Sequence, residues 1–168
     1  MGKRRAARER ALRGLFALEF NDVPSAHLLA ASAGARTSAG DEAYALRLID
    51  GIRARRDEVD ALIEGTSRNW RVARMAVVER NILRVAVFEM LEDAFLAPAI
   101  IINEALEIAK RYSGEEAAVF INGILDAVRR KIRPDESPEK RRDSHERTEK
   151  KQPSRASGRT LGRRPGPQ

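Results

Sequence analysis

Apolar residues recur every three to four positions along most of the first 132 residues, which is the spacing of helices that bury one face. Near the N-terminus, Leu12, Leu15 and Phe16 follow this spacing, and the pattern predicts a helix over 4–20. The stretch AVVERNILRVAVFEMLED, at 76–93, is apolar nearly all round, which is typical of a central, buried helix. Further helices are predicted over 26–33, 41–68, 98–112 and 115–132. We therefore predict an all-α bundle of about six or seven helices.

Individual residues refine this helical pattern. Asp41 is a suitable N-cap for the helix over 41–68, and we expect a break or kink near residues 55–57. Trp70 lies in the connector NWRVARM, where a large aromatic side chain most simply anchors the core. Gly123 costs a helix about 1 kcal/mol relative to alanine, so we expect a neighbouring helix to approach closely there. Two asparagines in the last two helices are expected to form hydrogen bonds near a helix contact: Asn103 and Asn122.

The composition changes after residue 132. The segment 133–168 contains five of the seven prolines, no aromatic residue and one leucine. It can bury too little apolar surface to offset the entropy of ordering the chain. We therefore predict a helical domain over 1–132 and a basic, disordered tail over 133–168.

The net charge of +7 is unevenly distributed along the chain. Residues 1–13 carry six basic groups and one acidic group, and residues 133–168 carry eleven and six, so the intervening body is mildly acidic. Positive charge at both ends of an acidic body is typical of proteins that bind a polyanion such as nucleic acid. Basic clusters that serve only solubility are the alternative.

The basic start of the first helix has three interpretations: a membrane surface, a nucleic acid or a solvated helix end. At about 100° per residue, Arg8 lies on the same stripe as Leu12 and Leu15, so the arginines form a basic end of a core helix. A membrane-bound helix needs its apolar stripe free, whereas the core requires this one. Arginine pairs well with phosphate oxygens, which favours nucleic acid and leaves the solvated end as the alternative.

Phe120 is a second candidate for binding, because it falls off the main apolar stripe of the last helix. An exposed phenylalanine near Lys110 and Arg111 is suited to stack on an unpaired base. A role in the core or in a protein interface is the alternative.

Enzyme chemistry finds no support in the sequence. The chain lacks cysteine, a glycine-rich phosphate loop, a nucleophile elbow and a metal-binding HExxH helix, and its two histidines, His27 and His145, are far apart. No apolar run approaches the ~20 residues that span a bilayer, and the N-terminus has no secretory signal, so we predict a cytoplasmic location. We expect a non-enzymatic binding protein without cofactor, metal or membrane partner.

Three stretches resemble the NusB family of bacterial transcription antitermination factors in order and spacing: RRAARERALRGLFALEF, ERNILRVAVFEML and INEALEIAKRYSGEEAAVFINGILD. The resemblance covers residues 3 to about 132, and the third stretch is its most specific part. It implies an all-helical bundle of two subdomains that binds boxA, a short single-stranded element of ribosomal RNA transcripts. It also implies a protein partner, the small-subunit ribosomal protein NusE, and assembly with RNA polymerase in an antitermination complex that also aids rRNA processing.

The resemblance also implies site residues. The family's arginine-rich motif falls on Arg4, Arg5 and Arg8, which are implied to contact RNA phosphates, and Ala6 stands where an arginine is often found. Further RNA contacts are implied at four positions: Arg84, Lys110, Glu116 and Phe120. The NusE-type partner is implied to contact three: Glu79, Arg80 and Arg84.

Other interpretations stay open at this point. One is a helical protein-interaction module without sequence-specific RNA binding, and another is a homodimer whose contact hides the basic helix end. The tail over 133–168 is longer and more basic than the family pattern requires, and we expect it either to add unspecific RNA affinity or to be inert. A helical domain of this kind also occurs fused to an rRNA methyltransferase, but the glycine-rich nucleotide-binding segment of that enzyme is missing from this sequence.

Overall fold

The computed structural model describes residues 3–21, 24–27, 38–66 and 70–134. Within these ranges the chain contains six complete α-helices and one short 3-10 helix, and no strand, which confirms the all-α prediction. The α-helices are α1 (Lys3–Leu18), α2 (Ala39–Ala54), α3 (Arg56–Glu64), α4 (Val77–Glu92), α5 (Pro98–Tyr112) and α6 (Glu115–Ile132), and the 3-10 helix spans Val72–Arg74. Most of the predicted helix over 26–33, and the tail from 135 on, lie outside the described residues.

The central element is α4, as predicted. Residues 81–90 are all buried, and the helix packs against α1, α2, α3, α5 and α6. Fully buried leucines from three helices, Leu48, Leu83 and Leu125, belong to the core around it. Burial of apolar surface, at about 25 cal/mol per Å², is the main force that holds such a bundle together.

The predicted break after α2 is confirmed, but the predicted N-cap is wrong. Arg55 separates α2 from α3 with a backbone conformation outside the helical region (φ −117°, ψ 26°). The N-cap of α2 is Ser38, whose Oγ accepts a hydrogen bond from the backbone N–H of Asp41 at 3.2 Å. Asp41 instead lies in the first turn, where its carboxylate interacts favourably with the helix dipole and accepts a hydrogen bond from the Ser38 hydroxyl at 2.7 Å.

Helices approach closely at two glycines, neither of which is the predicted one. A Cβ atom on Gly123 would meet open space, so the close approach predicted there is wrong. A Cβ on Gly14 of α1 would lie 2.6 Å from Cδ1 of Ile49 in α2. A Cβ on Gly51 of α2 would overlap the ring of Phe88 in α4. The spacing of α1, α2 and α4 therefore depends on Gly14 and Gly51.

Several side chains lie at a different depth from the one predicted. Asn103 and Asn122 are both exposed, whereas Asn81 of α4 is buried. Trp70 does not anchor the core, because 51% of its surface is exposed. The period of a helix shows which residues share a face, but the neighbouring segments decide which face is covered.

Arg133 is bound to the helical body, although the predicted boundary places it in the tail. Its guanidinium donates hydrogen bonds to the carbonyl oxygens of Met90, Asp93 and Leu96 at 2.9, 2.7 and 3.1 Å. The contact with Met90 satisfies a carbonyl group in the last turn of α4, which has no partner within the helix, and the other two bind the segment that follows α4. The described residues up to Pro134 belong to one compact unit. No helix within the described ranges is long and apolar enough to cross a membrane.

Candidate nucleic-acid interface

An open groove of about 330 Å³ lies between the connector before α4 and the first half of α6. Three of the predicted site residues line it, Glu79 from α4 and Glu116 and Phe120 from α6. The other lining residues are Trp70, Arg74, Met75, Ala76 and Ala117. The fold therefore brings together residues that were predicted separately, from stretches nearly 40 positions apart.

Two aromatic rings form one wall of the groove. The ring centroids of Trp70 and Phe120 are 5.1 Å apart at an interplanar angle of 66°, a favourable edge-to-face contact. Phe120 is partly buried and packs against the hydrophobic core, and its contact holds the more exposed indole of Trp70 in place. Trp70 thus presents a large aromatic surface to solvent on a rigid support.

The charged side chains near the groove differ in sign. Arg74 and Glu116 are exposed and Glu79 is partly buried. Lys110, at the end of α5, does not line the groove, and its Nζ lies 3.8 Å from a carboxylate oxygen of Glu115 and 3.8 Å from one of Glu107. Exposed ion pairs of this length contribute little to stability, so Lys110 can exchange them for a phosphate.

The N-terminal arginines Arg4 and Arg5 are accessible to different degrees. Arg4 is 59% exposed, and its guanidinium lies 5.7 Å from the ring centroid of Tyr44 and 3.9 Å from Asp93. Arg5 donates two hydrogen bonds of 2.7 Å to the carboxylate of Glu104 on α5. These hydrogen bonds hold the pKa of Glu104 below its ordinary value.

Arg8 points into the bundle. Its side chain is 3% exposed and that of its partner Glu89 on α4 is 1% exposed. Nε of Arg8 donates to both carboxylate oxygens of Glu89, at 3.0 and 2.8 Å. The Tyr44 hydroxyl donates to the same carboxylate, and burial together with this hydrogen bond raises the pKa of Tyr44 to about 12. Arg8 therefore joins α1 to α4, and of the three arginines implied to contact RNA at this end, Arg4 and Arg5 are the two that face solvent.

Arg80 and Arg84 belong to a network around Glu19, which follows α1. The Glu19 carboxylate accepts hydrogen bonds from Arg80 at 2.6 Å and from Arg84 at 2.8 Å. Burial alone would raise the pKa of Glu19, but these two guanidiniums outweigh it and lower the pKa. Arg84 is buried and also donates to both carboxylate oxygens of Asp60 on α3, at 2.8 and 2.9 Å. Arg84 thus connects α4 to α3 and to the end of α1.

The predicted site residues did not include Trp70 and Arg74. The signal for Trp70 was present, because the connector NWRVARM flanks its tryptophan with arginine and lacks the long apolar stripe that would bury it. Exposure of that tryptophan follows only from the packing of the connector against α6. Within the part of the chain that the structure describes, no cluster of three or more histidine, aspartate or glutamate side chains could hold a metal ion.

Comparison with known proteins places this architecture in a family, since the profile of the NusB family matches residues 5–130. The chain belongs to the NusB family. The transcription antitermination protein NusB of Myxococcus xanthus (strain DK1622) is 41% identical over 133 residues, which are 76% of this chain and 95% of that protein. The family resemblance found in the sequence is therefore confirmed.

Solved NusB structures share the fold. The NusB of T. maritima superposes with a TM-score of 0.69 at 33% identity, over 83% of this chain and 96% of that one. A chain from a crystal structure of the antitermination factors NusB and NusE in complex with dsRNA superposes with a TM-score of 0.64 at 25% identity, over 75% of this chain and 95% of that one.

Within this NusB fold, the predicted site residues divide into two groups. Arg8 and Arg84 are buried in ion pairs that connect helices. The others are at least partly exposed: Arg4, Arg5, Glu79, Arg80, Lys110, Glu116 and Phe120. The second group can contact a partner without rearrangement of the bundle, whereas the first group determines how that surface is held.

Proposed function

We propose that this protein is a transcription antitermination factor that binds a boxA-type single-stranded RNA together with a NusE-type ribosomal protein. The observation that carries the proposal is the groove in which Glu79, Glu116 and Phe120 meet an exposed tryptophan. Membership of the NusB family supports it, as does the likeness to a NusB chain solved with NusE and RNA. The bound pair would then join the antitermination complex on RNA polymerase.

The exposed residues have separate roles in this proposal. Arg4, Arg5 and Lys110 contact RNA phosphates, because arginine and lysine at accessible positions release counterions when they bind a phosphate backbone. Glu116 and Phe120 contact the bases that enter the groove. Arg8 and Arg84 do not contact RNA in this proposal: the buried ion pair of Arg8 joins α1 to α4, and that of Arg84 joins α4 to α3, so both act through the stability of the bundle.

The proposed partner surface consists of Glu79 and Arg80, which lie next to each other at the start of α4. Glu79 also lines the groove, so the protein partner would bind next to the RNA, and any effect of one on the affinity for the other would be reciprocal. In this proposal the tail over 133–168 adds affinity that does not depend on RNA sequence, because its eleven basic groups exceed its six acidic groups.

Fluorescence anisotropy of a labelled boxA-type RNA, compared with a scrambled RNA of equal length, tests the proposal with and without the NusE-type partner. An Arg4→Ala/Lys110→Ala variant removes two exposed cations without touching the buried ion pairs. The matched control is Arg130→Ala, an exposed arginine about 20 Å along α6 from Glu116. We expect a preference for boxA that grows with the partner. In the double variant, the slope of log affinity against log salt should fall by about one for each phosphate that the protein no longer binds.

Equal, weak affinity for both RNAs, unaffected by the partner, would refute the proposal. The protein would then be a helical protein-interaction module, and sizing chromatography would show whether it forms a homodimer. A response of Arg130→Ala equal to that of the double variant would show only unspecific electrostatic binding.

A further inference from the structure

We propose that the groove is a pocket for one unpaired nucleobase, which stacks on Trp70 while Glu79 and Glu116 accept hydrogen bonds from its amino edge. The inference rests on the proposed RNA binding and adds to it a residue and a base preference. It follows from the shape, the exposed aromatic surface and the charges of the groove.

The aromatic wall is suited to stacking. Trp70 is half exposed and held in edge-to-face contact by Phe120, which is itself packed on the core. This arrangement leaves part of the indole surface exposed, and the indole does not need to move when a base stacks on it. Stacking of a base on an aromatic side chain is tolerant of base identity, so stacking on Trp70 contributes affinity but does not discriminate between bases.

The charges decide which part of a nucleotide enters. Two carboxylates and one guanidinium line the groove, so it repels a phosphate and accepts hydrogen bonds from donors. Phosphates are better placed outside it, on Lys110, whose Nζ lies 3.8 Å from Glu115, the residue before the groove's Glu116. A nucleotide bound in this orientation has its backbone at the rim and its base inside.

The carboxylates also select among bases. Adenine and cytosine carry an exocyclic amino group, a donor that a carboxylate accepts well, whereas uracil presents carbonyl acceptors at the corresponding position. The edge of uracil offers a single donor, N3–H, between two carbonyl oxygens, so at least one of the two carboxylates would be opposed to an oxygen. The groove should therefore prefer cytosine or adenine to uracil. Its volume of about 330 Å³ is at the low end for ligand pockets, which fits one base better than a peptide segment.

The chain has one tryptophan, so intrinsic fluorescence reports on this pocket directly. The probes are RNA dodecamers of cytosine, adenine or uracil, titrated into the full-length protein with the NusE-type partner present if it is required for RNA binding. We expect the cytosine and adenine dodecamers to quench the Trp70 emission and to bind about 5- to 100-fold more tightly than the uracil dodecamer.

Three variants separate the contributions. Trp70→Ala, followed by anisotropy of labelled RNA, should weaken binding of the cytosine dodecamer by about 5- to 100-fold. Phe95→Ala is the matched control, since Phe95 is a fully exposed aromatic residue on the connector between α4 and α5, and it should change nothing. Glu116→Ala should reduce the preference for cytosine over uracil.

The failures of the two proposals are distinguishable. If boxA-type RNA binds with its sequence preference but Trp70 emission is unchanged and Trp70→Ala binds as tightly as wild type, the base pocket is refuted and the proposed function stands. If uracil binds as tightly as cytosine in the wild type, the role of the carboxylates is refuted. If no RNA binds with or without the partner, both proposals fail.

Discussion

Loss of the Arg8 guanidinium is expected to destabilise the fold, and to affect RNA binding only through that loss. The Arg8→Ala variant breaks the buried ion pair of the Glu89 carboxylate, which is 1% exposed in the wild type and would keep only the hydrogen bond from the Tyr44 hydroxyl. Removal of one partner from such a pair costs about 3–5 kcal/mol, because the remaining charge is buried without its counter-charge. This is a large share of the ~5–15 kcal/mol by which a typical domain is stable.

Urea unfolding followed by far-UV circular dichroism measures the effect, with the midpoint and slope converted to a free energy of unfolding. Arg4→Ala is the matched control, one helical turn away on α1 and 59% exposed, and it should change the free energy by less than about 0.5 kcal/mol. The double variant Arg8→Met/Glu89→Leu removes both charges and keeps apolar contacts. It should lose less stability than Arg8→Ala alone, because no unpaired charge is left in the core.

An Arg8→Ala protein with the same urea midpoint and slope as wild type would refute this reasoning. Reduced RNA affinity in that unchanged protein would show that Arg8 contacts RNA directly. If instead Arg8→Ala is destabilised, RNA affinity measured well below its unfolding transition should stay close to that of wild type, while Arg4→Ala should bind RNA more weakly.

Two further outcomes follow, one from helix packing and one from a charge pair. Gly51→Ala should lower the free energy of unfolding by about 1–3 kcal/mol, because its methyl group would overlap the Phe88 ring. Gly123→Ala should raise it by up to about 1 kcal/mol, because its methyl group would meet open space, and a thermal melt in which both variants behave alike would contradict this. The hydrogen bond from Arg5 lowers the folded-state pKa of Glu104 from its ordinary 4.5, so this pair stabilises the fold above that pH and its contribution disappears as the pH falls through the lowered pKa. Free energies of unfolding measured from pH 7 to pH 3 should therefore fall less steeply in Arg5→Ala than in wild type.

The helices and the family could be read from the sequence because both signals are local. The apolar repeat of α4 is complete within 16 residues, and the break at Arg55 interrupts a pattern that is visible on either side of it. The NusB resemblance rests on short stretches whose residue order is itself the signal. Neither conclusion requires knowledge of which segments touch.

The candidate site could be predicted only in part, for the same reason. The resemblance implies Glu79 and Glu116 one by one, and the helix pattern also indicates Phe120, but nothing local to these residues shows that they line a common groove. Trp70 was misplaced because an isolated aromatic residue in a connector is usually buried, and its exposure depends on how far α6 covers it.

The order of residues along the chain is enough to show that this protein is helical, that it belongs to the NusB family and that its first helix begins with a cluster of arginines. Which of those arginines can meet a ligand depends on how the helices pack. Arg4 and Arg8 are one turn apart on the same helix, yet Arg8 is buried because Glu89, 81 residues further along the chain, faces it from α4. Helix periodicity is a property of neighbouring residues, whereas burial and charge pairing are properties of the segments that fold against them.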